Sequence, residues 1–176
     1  MLFSAFKAAE MDWQAEMENL TRAAERVVCA AARRGYTICT AESCTAGLVA
    51  AALGGVPGAS AVLRGGAVTY CDEVKHKLLG VSERSLDRFS AVSRQVALEM
   101  ATQAAARLDA DIAVSLTGYA GPGGGTAQDP AGTVYVALWE RGHCSVERCS
   151  FTGGRNEVRA AAAGRALALF LAAIEG

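Results

Sequence analysis

Between residues 15 and 34 the apolar side chains Leu20, Ala23, Ala24, Val27, Val28 and Ala31 recur at the spacing of one helical face. Arg33, Arg34 and Gly35 come next, two cations and a glycine of the kind that close a helix. "YTICTA" reads as a strand and "TAGLVAAAL" as a helix stopped by "GGVPG". "SAVLRGGAVTY" reads as strand, with its glycine pair marking a bend or bulge. "DEVKHKLLGV" predicts a short helix capped by Asp72, and "SERSLDRFSAV" a connector with a turn of helix. Ser93 is placed to cap a long helix over 94–108. "DIAVSLTG" is a nearly unbroken apolar run, as in a strand covered on both faces. After the loop "GYAGPGGGTAQDPAG", two alternating segments joined by "RG" predict a hairpin, and "NEVRAAAAGRALALFLAAI" a closing helix. Helices alternating with strands predict a layered α/β domain, and the final hairpin makes its sheet mixed.

The chain has 176 residues, enough for one domain with a full core. The expected division is an N-terminal tail over 1–14, disordered or helical, and a single domain over 15–176. With 52% apolar but only 6% aromatic residues, the core must be built mostly from Ala, Val and Leu. A net charge of −1 offers no basic excess for a nucleic-acid backbone. No apolar run approaches the roughly 20 residues of a membrane span, and the N-terminus lacks the form of a signal peptide, so a cytoplasmic protein is expected. The six cysteines form no C-x-x-C pair, and His76 and His143 stand at no zinc-ligand spacing, so neither a metal nor a cofactor is expected.

Candidate chemistry lies at the joints. In "TAESCTAG" (residues 40–47) Ser43 falls where a strand gives way to a helix. It can be a helix cap. It can also be a nucleophile, with N–H groups of Cys44 and Thr45 placed to hold an oxyanion. A serine needs a base. His76 and Lys75 are both candidates, and a lysine would have to be held neutral by its surroundings. In "TYCDEVK", Tyr70 ends a strand and Lys75 lies in the helix after it, so both can reach the rim where Ser43 stands. "TGYAGPGGGT" (117–126) comes after the most apolar strand and could cradle a ligand; it is neither a Walker loop nor a dinucleotide fingerprint. Arg155 stands just ahead of the last helix, where it can grip an anion.

The blocks "AESCTAGLVA", "GGAVTYCDEVKHKLLGV", "AVSRQVALEMA", "TGYAGPGGGTAQDPAGTVYVAL" and "FTGGRNEVRAAAAGRALALF" together resemble the C-terminal domain of the CinA (competence/damage-inducible protein) family. The resemblance covers about residues 36–171. It implies a three-layer α/β/α sandwich with a mixed, mostly parallel sheet. It also implies the activity of the stand-alone members, hydrolysis of the carboxamide of nicotinamide mononucleotide (NMN) to nicotinate mononucleotide and ammonia in pyridine-nucleotide salvage. On that resemblance the catalytic residues are Ser43, Tyr70 and Lys75. Substrate contacts come from Cys44, Thr45, Thr117, Gly118, Gly121 and Arg155, with Thr117 a further candidate for the oxyanion. The alternative is a catalytically weak pyridine-nucleotide-binding homologue acting as a sensor or partner protein.

Four positions depart from the family pattern. Ala46 stands where glycine is usual, and as a good helix former it is expected to fit the turn while narrowing the space beside the substrate. Tyr119 replaces a usual apolar residue, Asp129 a common lysine, and Ser90 a usual glycine. Asp129 is expected to weaken binding of a phosphorylated ligand. The partner expected is a small-molecule nucleotide, with no nucleic acid and no membrane. The Ala- and Leu-rich helices lead to the expectation of a homo-oligomer.

Overall fold

The structure, a computed structural model, describes residues 12–176; most of the expected N-terminal tail lies outside the described residues. Helix α1 (Trp13–Arg34) begins at Asp12, whose carboxylate accepts from the Ala15 amide, and ends on Gly35 at φ 66°. The strands are β1 (Ile38–Glu42), β2 (Leu63–Val68), β3 (Ile112–Gly118), β4 (Thr133–Glu140) and β5 (His143–Ser150). The other helices are α2 (Leu48–Gly54), α3 (Asp72–Val74), α4 (Glu83–Phe89), α5 (Arg94–Leu108) and α6 (Arg155–Glu175). The α3 turn continues directly as a π-helix over Lys75–Leu79.

The sheet order is β2-β1-β3-β4-β5. β1 pairs in parallel with β2 and β3; β3–β4 and β4–β5 are antiparallel. Four of the five strands therefore point the same way and β4 alone runs back, which is the mixed, mostly parallel sheet expected. The glycine pair does mark an irregularity. Ile38 pairs with Leu63 but Cys39 with Gly65, so Arg64 bulges out of register. Gly66 is required by close packing, since a Cβ there would lie 2.6 Å from Thr40 Oγ1 and 2.8 Å from Ala50 Cβ.

Strand alternation sorts side chains into the two outer layers. Ile38, Ile112, Val114, Leu116, Val134 and Val136 pack under α1, α2 and α6. Cys39, Ala41 and Ala113 face α5 and the π-helix, where Val96, Met100 and Ala104 close the second layer. The prevalence of Ala brings α5 close enough for Ser115 Oγ to donate to the Ala97 carbonyl at 2.6 Å. Ser93 caps α5 as expected, accepting from the Val96 amide at 3.3 Å. Asp72 is the first residue of its helix and not the cap, which falls on Cys71. The hairpin turn Arg141–Gly142 has positive φ at both residues, the geometry that suits the strand twist. Among the described residues no helix is long and apolar enough to cross a membrane.

Candidate active site

The C-terminal ends of β1, β2 and β3 reach one rim, as parallel strands must, and the segments leaving these strands wall a cleft of about 200 Å³. Ser43 comes from the end of β1, Tyr70 and Lys75 from the exit of β2, and Thr117 to Gly123 from the exit of β3. Arg155, the first residue of α6, closes the fourth side.

Ser43 is buried and its amide donates to Leu116 O at 2.9 Å, tying it to β3. It does not cap a helix. Residues 44–47 form a turn and α2 starts only at Leu48, with Gly47 at the cap position. The cap comes instead from Glu42, whose wholly buried carboxylate accepts from Ala50 N at 2.9 Å, Val49 N at 3.2 Å and Thr40 Oγ1 at 3.2 Å. A carboxylate that satisfies two orphan amides of a helix start is well placed for the local dipole. It leaves the Ser43 hydroxyl uncommitted to the helix. The amides of Cys44 and Thr45 meet no oxygen acceptor among the described residues.

Lys75 is 1% exposed, and its Nζ lies 3.1 Å from Ser43 Oγ and 3.0 Å from Thr69 O. Burial pulls its pKa below the ordinary 10.5; Asp72, its Oδ1 4.0 Å away, pulls weakly in the opposite direction. A neutral lysine has two N–H bonds and one lone pair. With one N–H donated to Thr69 O, the lone pair is free to accept the Ser43 proton. Lys75 also opens the π-helix, a local widening that recurs at functional positions. The Cys44 thiol beside this pair is pushed up to about 11 by burial, so it is protonated and no rival nucleophile at neutral pH.

Tyr70 lies apart from the pair. Its side chain is exposed, and its hydroxyl accepts a short hydrogen bond from Arg155, whose other guanidinium nitrogen donates to Gly121 O at 3.1 Å. Arg155 thus bridges the β2 exit and the glycine loop. Among the described residues it has no carboxylate partner. Thr117 lines the cleft, but its hydroxyl donates to Ala91 O at 2.7 Å and is spent on holding the α4–α5 connector. Gly118 is needed where the loop leaves β3, because a Cβ there would meet Thr133 O at 2.5 Å. Thr45 is fully buried with an unpaired hydroxyl and does not line the cleft, so its side chain makes no contact there.

The alternative base is misplaced. His76 Nδ1 lies 2.9 Å from Val81 O and its Nε2 3.8 Å from Glu83; it opens onto a different hollow. His143 is exposed at the far end of the hairpin. Among the described residues no three His, Cys, Asp or Glu side chains converge as metal ligands would.

The departures from the family pattern also find their places. Ala46 is exposed at φ 52°, outside the helix and away from the cleft. Helix propensity is therefore irrelevant to it, and the left-handed backbone explains why glycine is usual there. Ser90 has φ 66° and ψ 163°, a region nearly reserved for glycine. Asp129 does not face the cleft. Its carboxylate takes Arg148 Nε at 2.8 Å and the Tyr135 hydroxyl at 3.1 Å, which neutralises it and pins the back of the glycine loop to the hairpin. Tyr119 does line the cleft. Glu42, the Ala91–Val92 wall and Arg159, whose Nη2 donates to Thr45 O at 3.0 Å, carry the site as well, and none of them stands in a recognisable spacing.

A buried serine–lysine contact stands at the rim of a mixed sheet between two helical layers, in an α/β/α sandwich. The chain belongs to the CinA family: the model of the CinA C-terminal domain matches residues 20–174. It is 48% identical over 125 residues to a CinA-like protein of Geotalea uraniireducens (strain Rf4), a match covering 71% of this chain and 30% of that one. It is 47% identical over 126 residues to a protein of Clostridioides difficile (strain 630) named as competence-damage inducible, covering 72% and 30%. The chain thus matches about a third of the length of these curated relatives. Among solved structures, a CinA superfamily protein of Klebsiella pneumoniae superposes with a TM-score of 0.86 at 39% identity, over 89% of this chain and 98% of that one. The competence/damage-inducible protein of Agrobacterium tumefaciens gives 0.84 at 42%, over 92% and 96%.

Proposed function

We propose that the cleft hydrolyses the carboxamide of NMN, giving nicotinate mononucleotide and ammonia. The observation that carries this reading is the 3.1 Å contact between a buried lysine of lowered pKa and a serine hydroxyl. Ser43 Oγ attacks the carboxamide carbon while its proton passes to Lys75 Nζ. The amides of Cys44 and Thr45 hold the oxyanion. Lys75 returns the proton to the departing nitrogen, the C–N bond breaks and ammonia leaves. Water then attacks the ester on Ser43, again giving its proton to Lys75, and the carboxylate is released as Ser43 is reprotonated.

Tyr70 and Arg155 act at the other end of the ligand. Arg155 is bound only by neutral oxygens, so its charge is available to a phosphate, with Gly118 to Gly121 giving the backbone room to approach. The Lys75 contact with Ser43 is direct, so no proton step through Tyr70 is needed. The test is ammonia release from NMN by the purified chain, alongside calorimetric titration with NMN. Release that disappears in Ser43→Ala supports the hydrolase; binding of NMN without release supports a nucleotide-binding homologue instead.

A further inference from the structure

We propose that Arg159 is a positioning residue that holds the Ser43 turn in its working shape against a strain that Ala46 introduces; this rests on the hydrolytic reading above. Arg155 and Arg159 lie on successive turns of α6 but reach different targets. Arg155 goes to Tyr70 and Gly121, while Arg159 Nη2 reaches 3.0 Å to Thr45 O, braced by Asn156 Oδ1 at 3.0 Å on its other nitrogen. The peptide joining Thr45 to Ala46 is thereby pinned at both ends. Its carbonyl accepts from Arg159 at 3.0 Å and, more weakly, from the Leu48 amide at 3.3 Å, and its N–H donates to Ser43 O at 3.0 Å. That orientation forces Ala46 to φ 52°. Rotating this one peptide plane by half a turn would carry Ala46 back to negative φ, where alanine is at ease. The same rotation would release Ser43 O, whose peptide plane also carries the Cys44 amide assigned to the oxyanion. Glu42 and Leu116 secure the two ends of the turn; Arg159 is the side chain that reaches its middle from another element.

A glycine at position 46 would carry no such strain, so the demand on Arg159 depends on this chain's own alanine. The experiment is a double-mutant cycle over Arg159→Ala and Ala46→Gly, with Arg159→Lys as the milder change. Two rates are read: NMN deamidation, and covalent labelling of Ser43 by a fluorophosphonate. In the labelling, the Ser43 O–P bond forms, fluoride leaves and the serine proton passes to Lys75. In the Ala46 background, Arg159→Ala is expected to lower kcat and the labelling rate about tenfold, as for a weakened oxyanion site, with KM within about threefold. In the Ala46→Gly background the loss is expected to shrink to about threefold or less. Equal losses in the two backgrounds, a change in KM alone, or no loss would overturn the proposal. If the unmodified chain labels at Ser43 but releases no ammonia from NMN, the substrate reading fails, and the labelling rates still decide the role of Arg159.

Discussion

Lys75 Nζ stands 3.1 Å from Ser43 Oγ, although 32 residues separate the two in the chain. A buried amine is costly to charge, and on the proposed mechanism this one is kept for its part in the chemistry. Lys75→Met should abolish ammonia release while leaving the fold intact. It should also raise the melting temperature at pH 7 by a few degrees, equivalent to about 1 kcal/mol. A circular-dichroism melt beside the ammonia assay reads both. A variant that melts lower and keeps activity would contradict the assignment.

The same lysine sets a pH dependence. The proposed mechanism uses its neutral form, so kcat/KM should rise with pH through a pKa below 10.5. Stability depends on the same group. Because folding lowers this pKa, the unfolded chain binds the proton more tightly. The penalty from Lys75 is therefore full below the folded pKa and fades as pH rises toward 10.5. Denaturant titrations of the unmodified chain and Lys75→Met should converge over that window; a gap that widened with pH would contradict this.

Tyr70 is held by Arg155 and not by the serine–lysine pair, which separates two roles by kinetics. Tyr70→Phe should raise KM for NMN several-fold by loosening Arg155, with kcat within about threefold. A relay through the tyrosine would instead cost roughly 100-fold or more in kcat.

Ser90 occupies backbone that glycine tolerates without strain. Ser90→Gly should stabilise the protein by up to about 1 kcal/mol, the relieved strain outweighing the entropy that glycine adds to the unfolded chain. Thermal or urea unfolding measures it, and a destabilised variant would show that the Ser90 hydroxyl contact with Val92 O at 3.3 Å matters more.

Removing the Glu42 carboxylate should act oppositely. Glu42→Ala leaves the Val49 and Ala50 amides without a partner in a buried place, at a cost of about 1–3 kcal/mol. It should also slow Ser43 labelling, since the turn loses the anchor at its helical end. A variant as stable as the parent would show that water replaces the cap.

Period and punctuation made the elements legible. The stripe on α1, the unbroken run of β3 and the two-residue turn between β4 and β5 each have one mechanical reading. The strand exits, and hence the neighbourhood of Ser43, Tyr70 and Thr117, are set by parallel order. Other features depend on which way a side chain points in three dimensions. Glu42 is the last residue of a strand, and only the pleat decides that it faces α2 and does the capping that the position of Ser43 suggests for the serine. Ala46 reads as a helix former until its turn is seen to need a left-handed backbone. Asp129 looks like a misplaced charge until Arg148, 19 residues later on β5, is found beside it. Spacing alone leaves Lys75 and His76 both open as the base, and the resemblance points to Lys75; the structure adds the geometry, with Lys75 turned toward Ser43 and His76 toward Val81.

The direction of the strands has a practical consequence. β1, β2, β3 and β5 all deliver the chain to the cleft, so the opposite rim carries only starts and returns. The Arg141–Gly142 turn stands there, with open space around Gly142 and the Arg141 guanidinium stacked 4.3 Å over the Tyr36 ring. A reporter, a tether or a whole inserted domain spliced in after Gly142 would lie a full strand length from Ser43, leaving a handle by which the protein can be immobilised or tracked while the cleft stays free.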